Sequence, residues 1–274
     1  MKLVSFNTNS IRVRLHQLAV IIETYQPDVI GIQETKVQDA DFPIKEIQAL
    51  GYHAEFFGQK THYGVALLSR QEPQNLIKGF PGEQNPQAQR RLIGADYSID
   101  GEEISILNGY FPQGESRDHA IKFPAKEKFY SDLNEIVKER LATLIPLVVM
   151  GDFNIAPNNK DIGIGADNAK RWLKTGKCSF LPEEREWYEH LCSLGLSDSF
   201  RLLHPNIGDQ FSWFDYRSRG FEREPKRGLR IDHILISESL NPQLSACSID
   251  YALRSMEKPS DHCPVIAEFN KKNG

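Results

Sequence analysis

Short apolar runs of strand length alternate along this chain with amphipathic stretches of helical period, and several of the runs stop at a polar residue. Residues 2–6 form a β-type run that ends at Asn7. Leu15, Leu18, Ile22 and Tyr25 recur at helical spacing and predict a helix over residues 11–25, with Ser10 as its cap. Pro27 stops that helix, and an apolar strand over 28–33 ends in Glu34. A second helix over 42–50 closes on Leu50-Gly51, the usual helix-stop chemistry. Four strand-like runs follow at 52–57, 63–69, 91–98 and 103–111, separated by turn residues. The last of them delivers Asn108, Tyr110 and, after Pro112, Gln113. Residues 124–141 read as a helix with Phe129, Leu133, Val137 and Leu141 on one stripe.

The next run, Ile145 to Met150, is rich in Val and Leu and bounded by Pro and Gly, which predicts a strand buried on both faces. Gly151 lets the backbone turn, and Asp152 and Asn154 then share a side at strand periodicity. One acid and one amide so placed can hold a metal, orient a water or bond a phosphate oxygen. Residues 155–181 look like a long loop containing a short helix, and a helix over 183–194 stops at Gly195. A short aromatic strand at 211–214, a loop dense in Arg and Gly at 215–229, and a strand over 231–237 that opens on Asp232 come next. The last strand, 263–269, is preceded by Ser260-Asp261-His262. No linker breaks the chain, so one domain is expected over residues 1–270, with 271–274 as a short polar tail. Strands outnumber helices and helices fall between them, which predicts an α/β fold of two packed sheets with helices outside.

At 274 residues the chain can bury a large core, and its 40% hydrophobic and 26% charged residues are an ordinary soluble globular composition. The longest apolar runs fall short of a membrane span, and nothing at the N-terminus suggests export, so no membrane partner is expected. Cys178, Cys192, Cys247 and Cys263 form no CxxC pair, which disfavours a zinc site and fits free thiols in a reducing compartment such as the cytoplasm. The net charge of −4 argues against a protein coated in positive charge, but a local basic surface can still serve nucleic acid.

The strand ends carry the candidate chemistry. Glu34 and Asp152 are hard oxygen ligands of the kind Mg²⁺ or Mn²⁺ prefers. Asn7 and Asn154 are neutral donors suited to phosphate oxygens, and Tyr110 offers a phenol. Asp232 and His262 can pair as carboxylate and imidazole, which favours the imidazolium. Such a set suits hydrolysis of a phosphate ester. Taken alone, each residue has an ordinary role as a charged strand end, a turn residue, a half-buried aromatic or a surface histidine. Their joint occurrence, each beside an apolar strand, is the signal.

On these residues the chain resembles the exonuclease III family of bacterial DNA-repair nucleases, within the endonuclease/exonuclease/phosphatase superfamily. The resemblance covers nearly the whole chain. Ser5-Phe6-Asn7, Ile32-Gln33-Glu34-Thr35-Lys36, Asn108-Gly109-Tyr110-Phe111-Pro112-Gln113-Gly114, Gly151-Asp152-Phe153-Asn154, Arg230-Ile231-Asp232-His233 and Ser260-Asp261-His262-Cys263-Pro264 carry it. It implies a four-layer α/β sandwich of two packed mixed sheets, with the site where the sheets meet at one edge. It also implies Mg²⁺ dependence, with Mn²⁺ able to substitute. The implied activities are cleavage 5′ to abasic sites, 3′→5′ degradation of duplex DNA to 5′-mononucleotides, removal of 3′ phosphates and other 3′ blocks, and ribonuclease H action.

By the same resemblance Glu34 is the principal metal ligand. Asp152 orients or deprotonates the attacking water, and Asn154 and Asn7 contact the phosphate and hold Asp152. Tyr110 bonds the scissile phosphate, His262 paired with Asp232 stabilises its charge, and Asp261 sits near the metal. Asp152, Asn154, His262 and Asn7 are thereby also candidate contacts to the ion. The proton for the leaving oxygen has three possible sources: a metal-bound water, Tyr110 or His262. Asn9 and Gln113 depart from the carboxylate and Asn of the eukaryotic branch, and the amide at Asn9 weakens any case for a second tightly bound ion.

For the DNA, residues 160–177 carry Lys160, Lys170, Arg171, Lys174 and Lys177, and residues 215–230 carry six more cations interleaved with aromatics. Charge runs are usually solvated loops, but two of them flanking the catalytic stretches of an acidic protein point to phosphate contacts. Gln113, Trp213, Arg217, Lys170, Arg171 and Arg90 are the expected substrate-binding residues. In the resembling family an aromatic at Trp213 walls the pocket for an extruded abasic sugar, which is cheap to flip because it has no base to unstack. The expected partner is double-stranded DNA with abasic sites or 3′ ends, and the expected state is a monomer. Two other readings stand beside this one: an inositol-phosphate or sphingomyelin phosphodiesterase of the same superfamily, and a nucleic-acid-binding module without catalysis.

Overall fold

Strands that are apolar on both sides need cover on both sides, and the architecture supplies it. A computed structural model describes residues 1–85 and 87–271; of the expected C-terminal tail, residues 272–274 lie outside the described residues. The strands are β1 (Lys2–Asn7), β2 (Val29–Gln33), β3 (His53–Phe57), β4 (Val65–Ser69), β5 (Gln74–Lys78) and β6 (Leu92–Ile99). They continue with β7 (Glu102–Tyr110), β8 (Leu147–Asp152), β9 (Leu196–Asp198), β10 (Asp232–Ser237), β11 (Leu244–Ile249) and β12 (Val265–Phe269). The α-helices are α1 (Leu15–Tyr25), α2 (Ile44–Ala49), α3 (Lys122–Leu141), α4 (Ala166–Lys174), α5 (Pro182–Ser193), α6 (Ser199–Leu203) and α7 (Tyr251–Arg254).

Two six-stranded mixed sheets form, in the orders β11-β12-β1-β2-β4-β3 and β5-β6-β7-β8-β10-β9. Among the described residues, only β1–β2 and β7–β8 pair in parallel. Alternate residues of one strand enter different cores. Val148 and Met150 of β8 join Leu3, Val29, Leu67 and Val265 between the sheets. Leu147 and Val149 face outward onto Phe129, Leu133 and Val137 of α3 and Leu191 of α5. On the other side Val4, Phe6, Ile30 and Ile32 pack on Leu18 and Ile21 of α1 and Ile47 of α2. The result is the four-layer sandwich that the resemblance implies.

A buried polar clasp ties the sheets together near the site. Asn108 on β7 donates to the carbonyls of Ile32 and Ala66, each at 2.9 Å, and accepts from Gln33 at 2.6 Å. Gly151 permits a second close approach. Its φ of 147° lies outside ordinary L-residue space, and a Cβ there would run into the Gly109 carbonyl of β7. Register then does the positioning: Tyr110 pairs with Asp152, and Asp152 with Asp232, so three neighbouring strands present these residues in one row.

Three local expectations are corrected. The helix over 11–25 is a 3₁₀ turn (Ile11–Val13) followed by α1, and the Ser10 side chain does not cap it. Ser10 has a φ of 93° and spends its backbone N–H on the Glu34 carbonyl at 2.8 Å, so tertiary contact overrides capping. Residues 211–214 form no strand; Trp213 makes isolated bridges to Leu229 and His262. Asn154 is not at strand periodicity with Asp152, because β8 ends at Asp152 and Asn154 takes a left-handed φ of 53°. The edge strand β5 carried no signal, since four of its five residues are exposed and its sequence is mostly polar.

Candidate active site

The C-terminal ends of β1, β2, β7 and β8 and the N-terminal ends of β10 and β12 meet at one edge of the sandwich. Asp152, buried at the end of β8, is gripped on both oxygens. Asn7 Nδ2 donates to Oδ2 at 3.0 Å, and the Asn154 backbone N–H donates to Oδ1 at 3.0 Å. The Asn7 Oδ1 accepts the Asn9 N–H at 3.0 Å. Both ends of the Asn7 carboxamide are thus engaged, and its amino group holds Asp152.

His262 enters from the loop before β12. Its Nδ1 donates to Asp232 at 2.9 and 3.1 Å, which leaves Nε2 toward the site, 3.8 Å from Asp152 Oδ2. Ser260 locks this loop to the first sheet: its hydroxyl donates to the Asn7 carbonyl at 2.7 Å and accepts the His262 N–H at 3.2 Å.

Burial works against charge on His262, but the carboxylates of Asp232 and Asp152 outweigh it and push its pKa up to about 10. The imidazolium is therefore the neutral-pH form. Burial raises Asp152 to about 7 against the pull of His262 and Asn7, so this carboxylate titrates close to neutrality. Tyr110 is raised well above 10 by burial and by Glu34 and Asp152, which keeps its hydroxyl a donor. Arg91 holds that ring: its guanidinium lies 4.6 Å from the Tyr110 centroid and 4.3 Å from that of Tyr63, and donates to the Tyr110 carbonyl at 3.0 Å.

Glu34 stands on the same pocket with a left-handed φ of 57° and pairs with Lys36 at 3.0 Å. Lys36 also donates to Asn9 Oδ1, and Asn9 Nδ2 donates to Asp261 at 2.8 Å. The other Asp261 oxygen accepts Trp213 Nε1 at 3.1 Å. Asp261 thus anchors the Trp213 ring beside the site. The pocket, about 300 Å³, is lined by Glu34, Tyr110, Gln113, Asp152, Asn154, Trp213, Asp261 and His262 among others. Among the described residues, Asp152, Asp232 and His262 form a cluster of cation-competent groups with ligand atoms within 4.8 Å of one another. In this cluster Nδ1 of His262 already serves Asp232, so the oxygen-rich wall of Glu34, Asp152 and Asp261 is the better chemical match for a hard cation.

Of the expected substrate residues, Gln113 and Trp213 line this pocket, and Arg171 and Arg217 line an adjoining cavity of about 380 Å³ that shares Trp172, Lys177 and Trp213 with it. Lys170 is exposed on α4 and lines neither. Arg90 lies apart from both: it pairs with Asp39 at 2.8 Å and stacks on Phe57 in a neighbouring groove. Trp172, Ser260 and the Arg91 support of Tyr110 were missed. Trp172 stood next to Arg171 in a basic stretch, and that adjacency was the one signal available.

The chain belongs to the Endonuclease/Exonuclease/phosphatase family, whose model it matches over residues 4–262. Within that family it is a nuclease of the DNA-repair branch. It is 56% identical to the exodeoxyribonuclease III of Haemophilus influenzae over 269 residues, covering 98% of this chain and 100% of that protein. A Neisseria 3′ phosphatase solved with a product DNA hairpin superimposes with a TM-score of 0.89 at 38% identity, covering 98% of this chain and 99% of that one. An AP endonuclease from Archaeoglobus fulgidus does so with a TM-score of 0.87 at 34% identity, over the same shares.

Proposed function

We propose that this protein is a Mg²⁺-dependent phosphodiesterase that cuts DNA 5′ to abasic sites, degrades duplexes from 3′ ends, and clears 3′ phosphates and other 3′ blocks. The observation that carries the proposal is the buried Asp152 carboxylate, held by Asn7 and Asn154 beside the His262–Asp232 pair. Asp152 takes the proton of a water attacking phosphorus, the P–O3′ bond breaks in line with it, and the leaving O3′ takes up a proton from His262, Tyr110 or a water. His262 Nε2 and the Tyr110 hydroxyl donate to the phosphate oxygens as charge builds there. Mg²⁺, for which Mn²⁺ can substitute, supplies charge screening and polarisation of the phosphate. Glu34 would be its main holder, with Asp152 and Asp261 beside it.

Arg171, Lys177, Arg217, Arg223 and Arg227 ring the adjoining cavity, and none has an ion-pair partner among the described residues. Cations left unpaired beside an active site support a polyanionic duplex as the partner. Trp213, anchored by Asp261, supports a wall for a base-less sugar. Among the described residues no helix is long and apolar enough to cross a membrane. The free cysteines, three of them buried, support a reducing compartment such as the cytoplasm. Apart from Leu202 and Leu203 of α6, the exposed large apolar side chains are scattered over separate stretches of the chain, which supports a monomer acting as one domain.

The test is cleavage of a labelled duplex holding one abasic-site analogue, with Mg²⁺ or EDTA, beside a 3′-recessed duplex and an RNA–DNA hybrid. The expected result is a Mg²⁺-dependent nick 5′ to the lesion that falls about 10²–10⁴-fold in Asp152→Asn, as loss of a general base does. Binding without cleavage by metal-loaded protein would overturn the reading.

A further inference from the structure

Behind the catalytic wall lies an ion pair that the chemistry above does not use. Lys126 of α3 and Glu184 of α5 both have side chains with no solvent exposure, and Lys126 Nζ lies 2.5 Å from Glu184 Oε1. The ammonium also donates to the backbone carbonyls of Asn154 at 2.9 Å and Gln113 at 3.4 Å. Its three protons are therefore all committed. The second Glu184 oxygen accepts the backbone N–H groups of Ser179 and Leu181, each at 2.8 Å.

The three segments so tied all hold backbone in the left-handed region: Gly114 (φ 86°) and Glu115 (φ 63°) after Gln113, Asn154 (φ 53°), and Ser179 (φ 130°). For a side-chain-bearing residue this conformation is uncommon, Asn tolerating it best, and contacts from the surroundings hold it. Asn154 is the most fully held of them. Its N–H is given to Asp152, its side chain to the Phe111 carbonyl, and its own carbonyl is held by Lys126. Gln113, Asn154 and Ser179 are also neighbours around the catalytic pocket.

We infer that the Lys126–Glu184 pair is a positioning device for this site. From outside the pocket it fixes the peptides that aim Asn154 at Asp152 and set the Gln113 and Ser179 walls. The pair can be exchanged for neutral groups without unfolding the protein, because replacing a buried ion pair by neutral groups of similar size often leaves stability unchanged or improved. The inference rests on the reading of the pocket as a phosphodiesterase site, but it makes a claim about backbone order that can be read without substrate.

The experiment pairs the double variant Lys126→Met/Glu184→Gln with the single Lys126→Met. Amide hydrogen exchange is followed over residues 112–116, 153–156 and 178–181, together with the melting temperature and abasic-site cleavage. The double variant is expected to melt within a few degrees of the wild type, with exchange at least tenfold faster in those three segments. Its kcat is expected to fall at least tenfold with KM within about twofold. The single variant, which leaves Glu184 buried without its partner, melts lower. Unchanged exchange in the double variant overturns the inference whatever the enzyme does. So does a lower melting temperature with wild-type kcat in the folded protein, since that marks a merely structural pair. Faster exchange in a family of variants whose wild type cleaves no DNA would sink the functional reading and leave the positioning claim standing.

Discussion

His262 is a buried imidazole whose charge state depends on its neighbours, and this makes the site testable one residue at a time. Its pKa, near 10 in the fold against about 6.5 for a free histidine, reflects Asp232 and Asp152 prevailing over burial. The sign follows directly: stability from the imidazolium is fully present below about pH 6.5 and is lost as pH rises through about 10. In the metal-free protein, NMR titration of His262 should therefore show an apparent pKa well above 6.5, falling by at least about one unit in Asp232→Asn. The destabilisation caused by that substitution should be largest below neutrality and shrink toward pH 10. An apparent pKa near 6.5 in the wild type would remove the imidazolium from the proposed chemistry. At this scale the residue types were legible: Asp152, Asp232, His262, Asn7 and Glu34 each follow or open an apolar run. What was not legible is which atom serves which. That Asn7 holds Asp152, 145 residues away, was implied by the resemblance and not by the residues themselves, and that Asp261 anchors Trp213, 48 residues away, came only with the fold.

Elements deliver these groups through register, and register depends on how closely β7 and β8 approach. Gly151 lies where a side chain has no room against β7. Gly151→Ala places a methyl against the Gly109 carbonyl and asks an L-residue to hold a φ of 147°. The combined strain and overpacking should cost about 2–5 kcal/mol, read as a lower urea midpoint at unchanged m-value. Cleavage should fall with it, because Tyr110, Asp152 and Asp232 stand in one row across these strands. An unchanged midpoint would show that the strands separate without penalty. The apolar strands β1, β2, β8 and β12 were readable from sequence because each is buried on both faces. The edge strands β5 and β11 were not, since partly exposed residues leave no continuous apolar run. Lys126 is the deepest miss: on the sequence it is one more lysine of an amphipathic helix, yet it is wholly buried.

Over the whole molecule, a net charge of −4 coexists with one basic rim beside the pocket. Binding to duplex DNA should therefore weaken steeply with salt. Arg223→Ala/Arg227→Ala should make the slope of log K against log salt shallower by up to about 1.8, at about 0.9 for each phosphate left without its guanidinium. Equilibrium binding to an abasic duplex in Mg²⁺ across a salt series measures this, and an unchanged slope would move the DNA off that rim. The catalytic chemistry of the folded protein should be much less affected than its affinity, because these guanidinium groups lie outside the pocket that holds Asp152.

The sequence by itself determined the two-sheet α/β architecture, the strand ends that bear chemistry, and the family. Apolar runs of strand length, broken by amphipathic helices, admit few other packings. Only the tertiary structure decided how the ends converge. Asn7, Glu34, Tyr110, Asp152, Asp232 and His262 come from six separate stretches, and their meeting is set by strand order and register rather than by any local pattern. It alone also decided the protonation of the site. The pKa values of Asp152 and His262 come from burial, from Asp232 and from each other's charge, and these come together only in the fold.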